Sequence, residues 1–251
     1  PQEKQGSRFK IRFNLEATDL ELESRDQKMS LSMPAARLEG SLEPFTRVLD
    51  FKSILLREPK MITEQAEDAT ISETLASLAP LALRPSPDDK LYTVIPPISV
   101  KLLIAEGGGF SIGGKGKKNS LQRWDNIQLS VKNFTNDRFF PIEEESSFRV
   151  SGEHSSTAAY FTWQGNFDDK NHPSGNLQLS NVPASIIAPF LGREVEDISG
   201  MADLKGLLSL ETVEDENKRF DYSLQSTTLT IKDLVLKEID PKVIEELQKL
   251  E

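Results

Sequence analysis

Residues 160–211, YFTWQGNFDDKNHPSGNLQLSNVPASIIAPFLGREVEDISGMADLKGLLSLE, decide the fold. They read as a strand, a polar turn, a strand, a short Pro-flanked helix and a Gly-punctuated strand. Phe161, Trp163, Gly165 and Phe167 fall on one side of a strict alternation. Leu177 with Leu179 repeat it, and Leu204, Leu208 and Leu210 continue it. Strands of this kind bury one face and wet the other, the pattern of an antiparallel sheet. The stretch holds no recognisable catalytic grouping, so it is built to present a surface.

The same period of two extends outward. Phe9, Ile11, Phe13 and Leu15 share a face, as do Ile98, Val100, Leu102 and Ile104, and Ile127, Leu129 and Val131. Short polar turns such as Glu106–Gly109 and a longer loop at Asp168–Gly175 join the runs, which predicts a meander of hairpins. Three helices are expected. Thr70 and Glu73 form a capping box before Ile71, Leu75, Leu78 and Ala79. Pro183 opens a short helix carrying Ile186, Ile187, Phe190 and Leu191. Asp240 and Pro241 begin a C-terminal helix with Val243, Ile244, Leu247 and Leu250 on one face. The fold class is therefore mainly β with two or three short helices. The organisation is a β-rich segment at 1–60, a helical or flexible insert at 61–90 and a β-rich segment at 91–251 ending in a helix. The three can also run together as one elongated domain.

Composition narrows the function. The 251 residues contain no cysteine, which excludes disulfides, thiolate zinc sites and a cysteine nucleophile. A net charge of −10 argues against a nucleic-acid partner, because phosphate contacts demand a basic face. No apolar run approaches the ~20 residues of a membrane-spanning helix. The start, PQEKQGSRF, has neither an initiator Met nor a signal peptide, so the chain reads as an excised piece of a longer protein.

The motif search returns little chemistry. Gly109–Gly116 fits G-x-x-x-x-G-K, but Gly116 replaces the Ser or Thr that would hold magnesium, and Phe110 and Ile112 alternate like a strand. His154 and His172 sit in polar, turn-like sequence without the spacing of a zinc site. No G-x-S-x-G elbow occurs. Glu143–Glu145 reads as a solvated turn after Pro141, and Asn133-Phe134-Thr135 is a sequon that chance alone supplies. Neither a cofactor nor a metal site is expected, and the chain is read as no enzyme. The apolar stripes remain: they close against another sheet, or part of them lines a groove for an apolar ligand.

One order of motifs resembles a known family. Phe161-x-Trp163-x-Gly165-x-Phe167 comes first, then Pro173-Ser174-Gly175-x-Leu177-x-Leu179. Ile186 to Leu191 with Pro189-Phe190-Leu191 follows, then Ile198-Ser199-Gly200-x-Ala202-x-Leu204-x-Gly206. This order is similar to that of AsmA-like proteins, in the branch of large bacterial envelope proteins with the domain of unknown function 748. The resemblance covers residues 95–240. It implies a strongly curved, taco-like trough with an apolar inside. It implies a periplasmic segment of a protein anchored in the inner membrane of a Gram-negative bacterium, serving lipid traffic or outer-membrane upkeep. The partners would be phospholipid or another acyl-chain lipid and other segments of the parent protein. Candidate groove residues are Phe161, Trp163, Leu177, Leu179, Leu204, Leu208 and Leu210. A structural or interaction module with a closed core is the competing expectation. A carboxylate-dependent hydrolase of an envelope polymer is a third and has no acid pair to name.

Overall fold

Alternation of branched and aromatic residues with polar ones is what a pleated, half-wetted strand requires, and it produces strand after strand here. The structure, a computed structural model, describes residues 9–23, 29–44, 48–65, 97–114, 122–135, 145–155, 157–168, 172–184, 198–215 and 218–236. They form β1 (Ile11–Glu23), β2 (Met29–Glu43), β3 (Val48–Arg57), β4 (Lys60–Gln65), β5 (Ile98–Gly114) and β6 (Gln122–Thr135). These continue into β7 (Ser147–His154), β8 (Tyr160–Phe167), β9 (Pro173–Pro183), β10 (Ile198–Asp215) and β11 (Lys218–Leu236). All eleven belong to one sheet, ordered β1-β2-β3-β5-β6-β7-β8-β9-β10-β11, with β4 pairing β2 and β5. The expected antiparallel meander holds from β5 to β11 and from β1 to β3, but Glu106–Gly109, expected as a turn, runs inside β5 as an irregularity in its register with β6.

One junction departs from a meander. β3 and β4 both pair β2 antiparallel and β5 parallel, so they act as one long strand interrupted at Glu58 and Pro59. Pro59 cannot donate to a ladder, and Glu58 takes a left-handed φ of 46°. Residues 61–65, the start of the expected insert, are therefore strand. Residues 66–90, the helix expected after Thr70, the one after Pro183 and the C-terminal one lie outside the described residues; Pro183 itself ends β9.

Residues directly opposite on neighbouring strands share a face, so the register assigns the faces. One row runs Ala17, Ala36, Leu56, Ala105, Leu129, Val150, Trp163, Leu177, Gly206. The next runs Leu15, Leu38, Ile54, Leu103, Val131, Phe148, Gly165, Gly175, Leu208, Leu224. Neither contains a charged residue. The row between them, on the other face, is mostly polar: Glu16, Arg37, Leu55, Ile104, Ser130, Arg149, Gln164, Asn176, Leu207. Leu102 and Ile104, expected to share a face with Val100, instead pair Lys132 and Ser130. Leu103 and Ala105 take the apolar face, because the alternation on β5 resets after Val100.

Such resets recur, and several have a visible cause. Asp19, Asn126, Asn133 and Asn181 each adopt φ of 52°, a left-handed conformation that Asn and Asp reach most easily among non-glycine residues. Each is followed by an apolar residue, Leu20, Ile127, Phe134 or Val182, placed three positions after the last one on the apolar face. A left-handed residue adds one step to the strand and extra twist to the sheet. The apolar side chains thus keep their face over strands too long for unbroken alternation. At Asn181 the freed backbone N–H donates to the Asp203 carboxylate at 2.7 Å, so the step leaves no orphan donor.

Candidate functional site

Among the described residues, the apolar face is the one continuous feature with a chemical character. Apart from Phe148 and Trp163, its middle rows carry aliphatic side chains and glycine. Rings gather towards the two ends of the strands: Trp124 with Phe161 and His154 at one, and Phe134, Phe148 and Phe167 with Trp163 at the other. Side chains two strands apart touch across this face. The Trp124 and Phe161 rings lie 5.0 Å apart, and those of Phe134 and Phe167 lie 5.6 Å apart. Gly152 on β7 makes room for this meeting: a Cβ there would run into Ile127 from one side and Phe161 Cε1, at 2.7 Å, from the other. Side chains converge on a concave surface, so the sheet curls towards its apolar side here.

The paired glycines Gly165 and Gly175 tighten the same region. A Cβ on either would strike the facing backbone, the Ser174 carbonyl or the Gln164 carbonyl. Only glycine permits β8 and β9 to approach this closely.

The face is closed at one end and bare at the other. Ala159, Val182, Ala202 and Leu204 form a buried cluster, against which Trp124, Leu177, Leu179, Leu224, Leu229 and Ile231 pack. Val182 is wholly buried and Leu204 is 4% exposed. On the same face at β1, Leu15 is 54% exposed and Ile11 44%.

The seven candidate groove residues all lie on the apolar face. Trp163 and Leu177 share one row and Leu208 lies in the next. Phe161, Leu179 and Leu204 stand in direct register beside them, and Leu210 extends β10 along the same side. Leu204 belongs to the closed cluster, and Leu177 and Leu179 pack against it. The Trp163 indole N–H is buried with no hydrogen-bond partner among the described residues. Its ring packs edge-on to Phe148 at 4.6 Å. Sequence alone singled out the β8–β10 part as groove, placed Leu15 only in an apolar stripe, and passed over Leu38, Ile54, Leu103 and Phe148, which continue the same surface. The signal that finds them is register, which a single strand does not carry.

The polar face is held by local ion pairs. Lys52 Nζ donates to Glu39 at 2.9 Å, and this hydrogen bond holds the Glu39 carboxyl below its ordinary range. Asp203 is lowered too, first by the Asn181 N–H and then by Lys232. On the apolar side, His154, edge-on to Trp124, has its pKa pushed down by desolvation, with Asp125 opposing. His172 is tied into its turn by Asp168, which accepts from the His172 backbone N–H at 2.7 Å. Among the described residues no three His, Cys, Asp or Glu side chains gather closely enough to hold a metal ion. The Gly109–Gly114 part of the phosphate-loop-like motif is strand, paired with β4, and Lys115 lies outside the described residues. No helix among them is long and apolar enough to cross a membrane. Comparison with known protein families, curated proteins and solved structures finds no match.

Proposed function

We propose that the apolar face takes the acyl chains of phospholipid or a similar lipid. In this reading the chain is a non-catalytic, lipid-conducting periplasmic segment of an AsmA-like envelope protein anchored in the inner membrane. One observation carries it: two uncharged rows cross nine and ten strands of a single sheet on one face, and the face is left bare towards β1. Each methylene removed from water contributes about 0.8 kcal/mol, so a chain lying along such rows is held without any polar contact. The headgroup stays in water, and movement along the rows needs no bond to break.

The competing reading, a structural module whose apolar face is filled by protein, draws on the closed cluster around Val182. The test uses the two tryptophans, both on the apolar face. Vesicles of phosphatidylcholine with brominated acyl chains are mixed with the chain, and tryptophan emission is followed. Quenching of Trp124 and Trp163 beyond that given by unbrominated vesicles is expected, and Leu103→Asp should reduce it while circular dichroism still reports the sheet. Unquenched emission from a folded chain would sink the lipid reading and leave the structural module.

A further inference from the structure

The two outer strands of the sheet differ as edges. β11 has left-handed residues at Ser226 and Asp233, and its register with β10 shifts at three places. Such irregularities blunt an edge against further pairing. β1 has one left-handed residue, Asp19, but it pairs β2 through twelve residue pairs without a shift, and it contains no Pro or Lys. Among the described residues, four of the six exposed large apolar side chains lie on this edge or just before it: Phe9 at 61%, Ile11 at 44%, Leu15 at 54% and Leu22 at 54%. An unblocked strand with a bare apolar side is a template for another strand.

We infer that the other strand is β1 of a second copy, paired antiparallel about a two-fold axis through Glu16. The sequence of β1 fits its own reverse. With Glu16 opposite Glu16 of the second copy, Leu15 faces Ala17 and Asn14 faces Thr18. Left-handed Asp19 then supplies the one extra residue of a bulge. Pairing resumes with Phe13 opposite Leu20, Arg12 opposite Glu21 and Ile11 opposite Leu22. Apolar residues meet on the apolar face, and Arg12 meets Glu21 on the polar face, twice by symmetry. Without the Asp19 step, inward residues would meet outward ones beyond the centre. The single like-charge contact is Glu16 with its symmetry mate, and each copy's own Arg37 stands 3.7 Å from that carboxylate. The product is one sheet with an apolar face running unbroken through both copies. A two-fold pairing of this kind closes on itself and stops at a dimer.

Charge reversal tests the register. Sedimentation velocity of the purified chain without detergent should show a dimer. Arg12→Glu and Glu21→Arg should each weaken it by about tenfold or more, since like charges then face each other twice. The double variant should restore the wild-type dimer, and Glu16→Gln should tighten it. These side chains are exposed, so circular dichroism should report an intact sheet throughout. A monomer at all concentrations, or a double variant no better than either single one, would overturn the inference. So would masses that keep growing past the dimer, the mark of β1 pairing with β11 in an open chain. None of these outcomes depends on lipid capture, which the bromine quenching measures separately.

Discussion

Leu204 and Leu15 lie on the same face of the same sheet, yet Leu204 is 4% exposed and Leu15 is 54% exposed. The two ends of this face are built from the same residue types, in different rows. What differs is what reaches over them. Around Leu204 the alanines Ala159 and Ala202 and the wholly buried Val182 fill the space, and Trp124 packs in from β6. At β1 no described element lies above the rows. The pair teaches that alternation fixes which face is apolar, while burial is decided by how the sheet curls and by what crosses it.

The largest effect should come from the glycine pair that lets β8 and β9 close up. Gly165→Val puts side-chain atoms into the Ser174 backbone. Loss of the urea unfolding transition, or a destabilisation above about 3 kcal/mol, is expected. A folded variant of unchanged midpoint would mean that the closed end does not rest on this approach. Next, Leu204→Ala should cost about 2–5 kcal/mol, the range for a buried leucine. Leu15→Ala should cost under about 0.5 kcal/mol, as at exposed sites. Equal shifts in the two denaturant midpoints would erase the contrast between the ends.

The left-handed steps offer a finer probe. Asn133→Val forces a β-branched residue into φ of 52° and should cost about 1–2 kcal/mol, while Asn133→Gly should cost less. If both variants lose the same amount, the step is not what keeps Phe134 on the apolar face. Smallest is a pH effect at the Trp124 corner. Desolvation lowers the His154 pKa, so below about 6.5 the unfolded chain binds a proton that the folded one resists. Stability is fully present above that pH and declines as the pH falls through the unfolded value towards the folded one. His154→Gln should flatten this part of a melting-temperature profile; an unchanged slope would remove His154 from the account.

Much of the β5–β11 meander could be read from sequence. Phe161, Trp163, Gly165 and Phe167 do alternate on one face, and so do Leu204, Leu208 and Leu210 around Gly206. The parallel pairing of β3 and β5 could not, because nothing in either strand names its neighbour. Nor could the phase of β5, where Leu103 and Ala105 face the apolar side rather than Leu102 and Ile104. A sign of such resets was present at other strands. Asp or Asn stands just before an apolar residue and two positions after the previous one, as in Ala17-Thr18-Asp19-Leu20 and Leu179-Ser180-Asn181-Val182. Thr18–Leu22 and Thr228–Leu234 share this placement of an Asp before a leucine. Both lie on edge strands, and both hold an Asp with positive φ, Asp19 and Asp233. The candidate groove was legible only in its β8–β10 part, since its rows are joined by register alone.

The parallel seam has a consequence for how the chain reaches this structure. Leu49 pairs with Ile98 across 49 positions, whereas Phe167 pairs with Pro173 across six. Closing the longer loop costs more entropy before any contact repays it. The two hairpin arrays on either side of the seam can form early, each with a raw strand flank, and their zippering comes last. Pulse labelling of amides during refolding should therefore protect β8 and β9 before β3. A pause at that stage leaves the β3 and β5 flanks open to strands from other molecules, so the seam is where slow folding turns into aggregation.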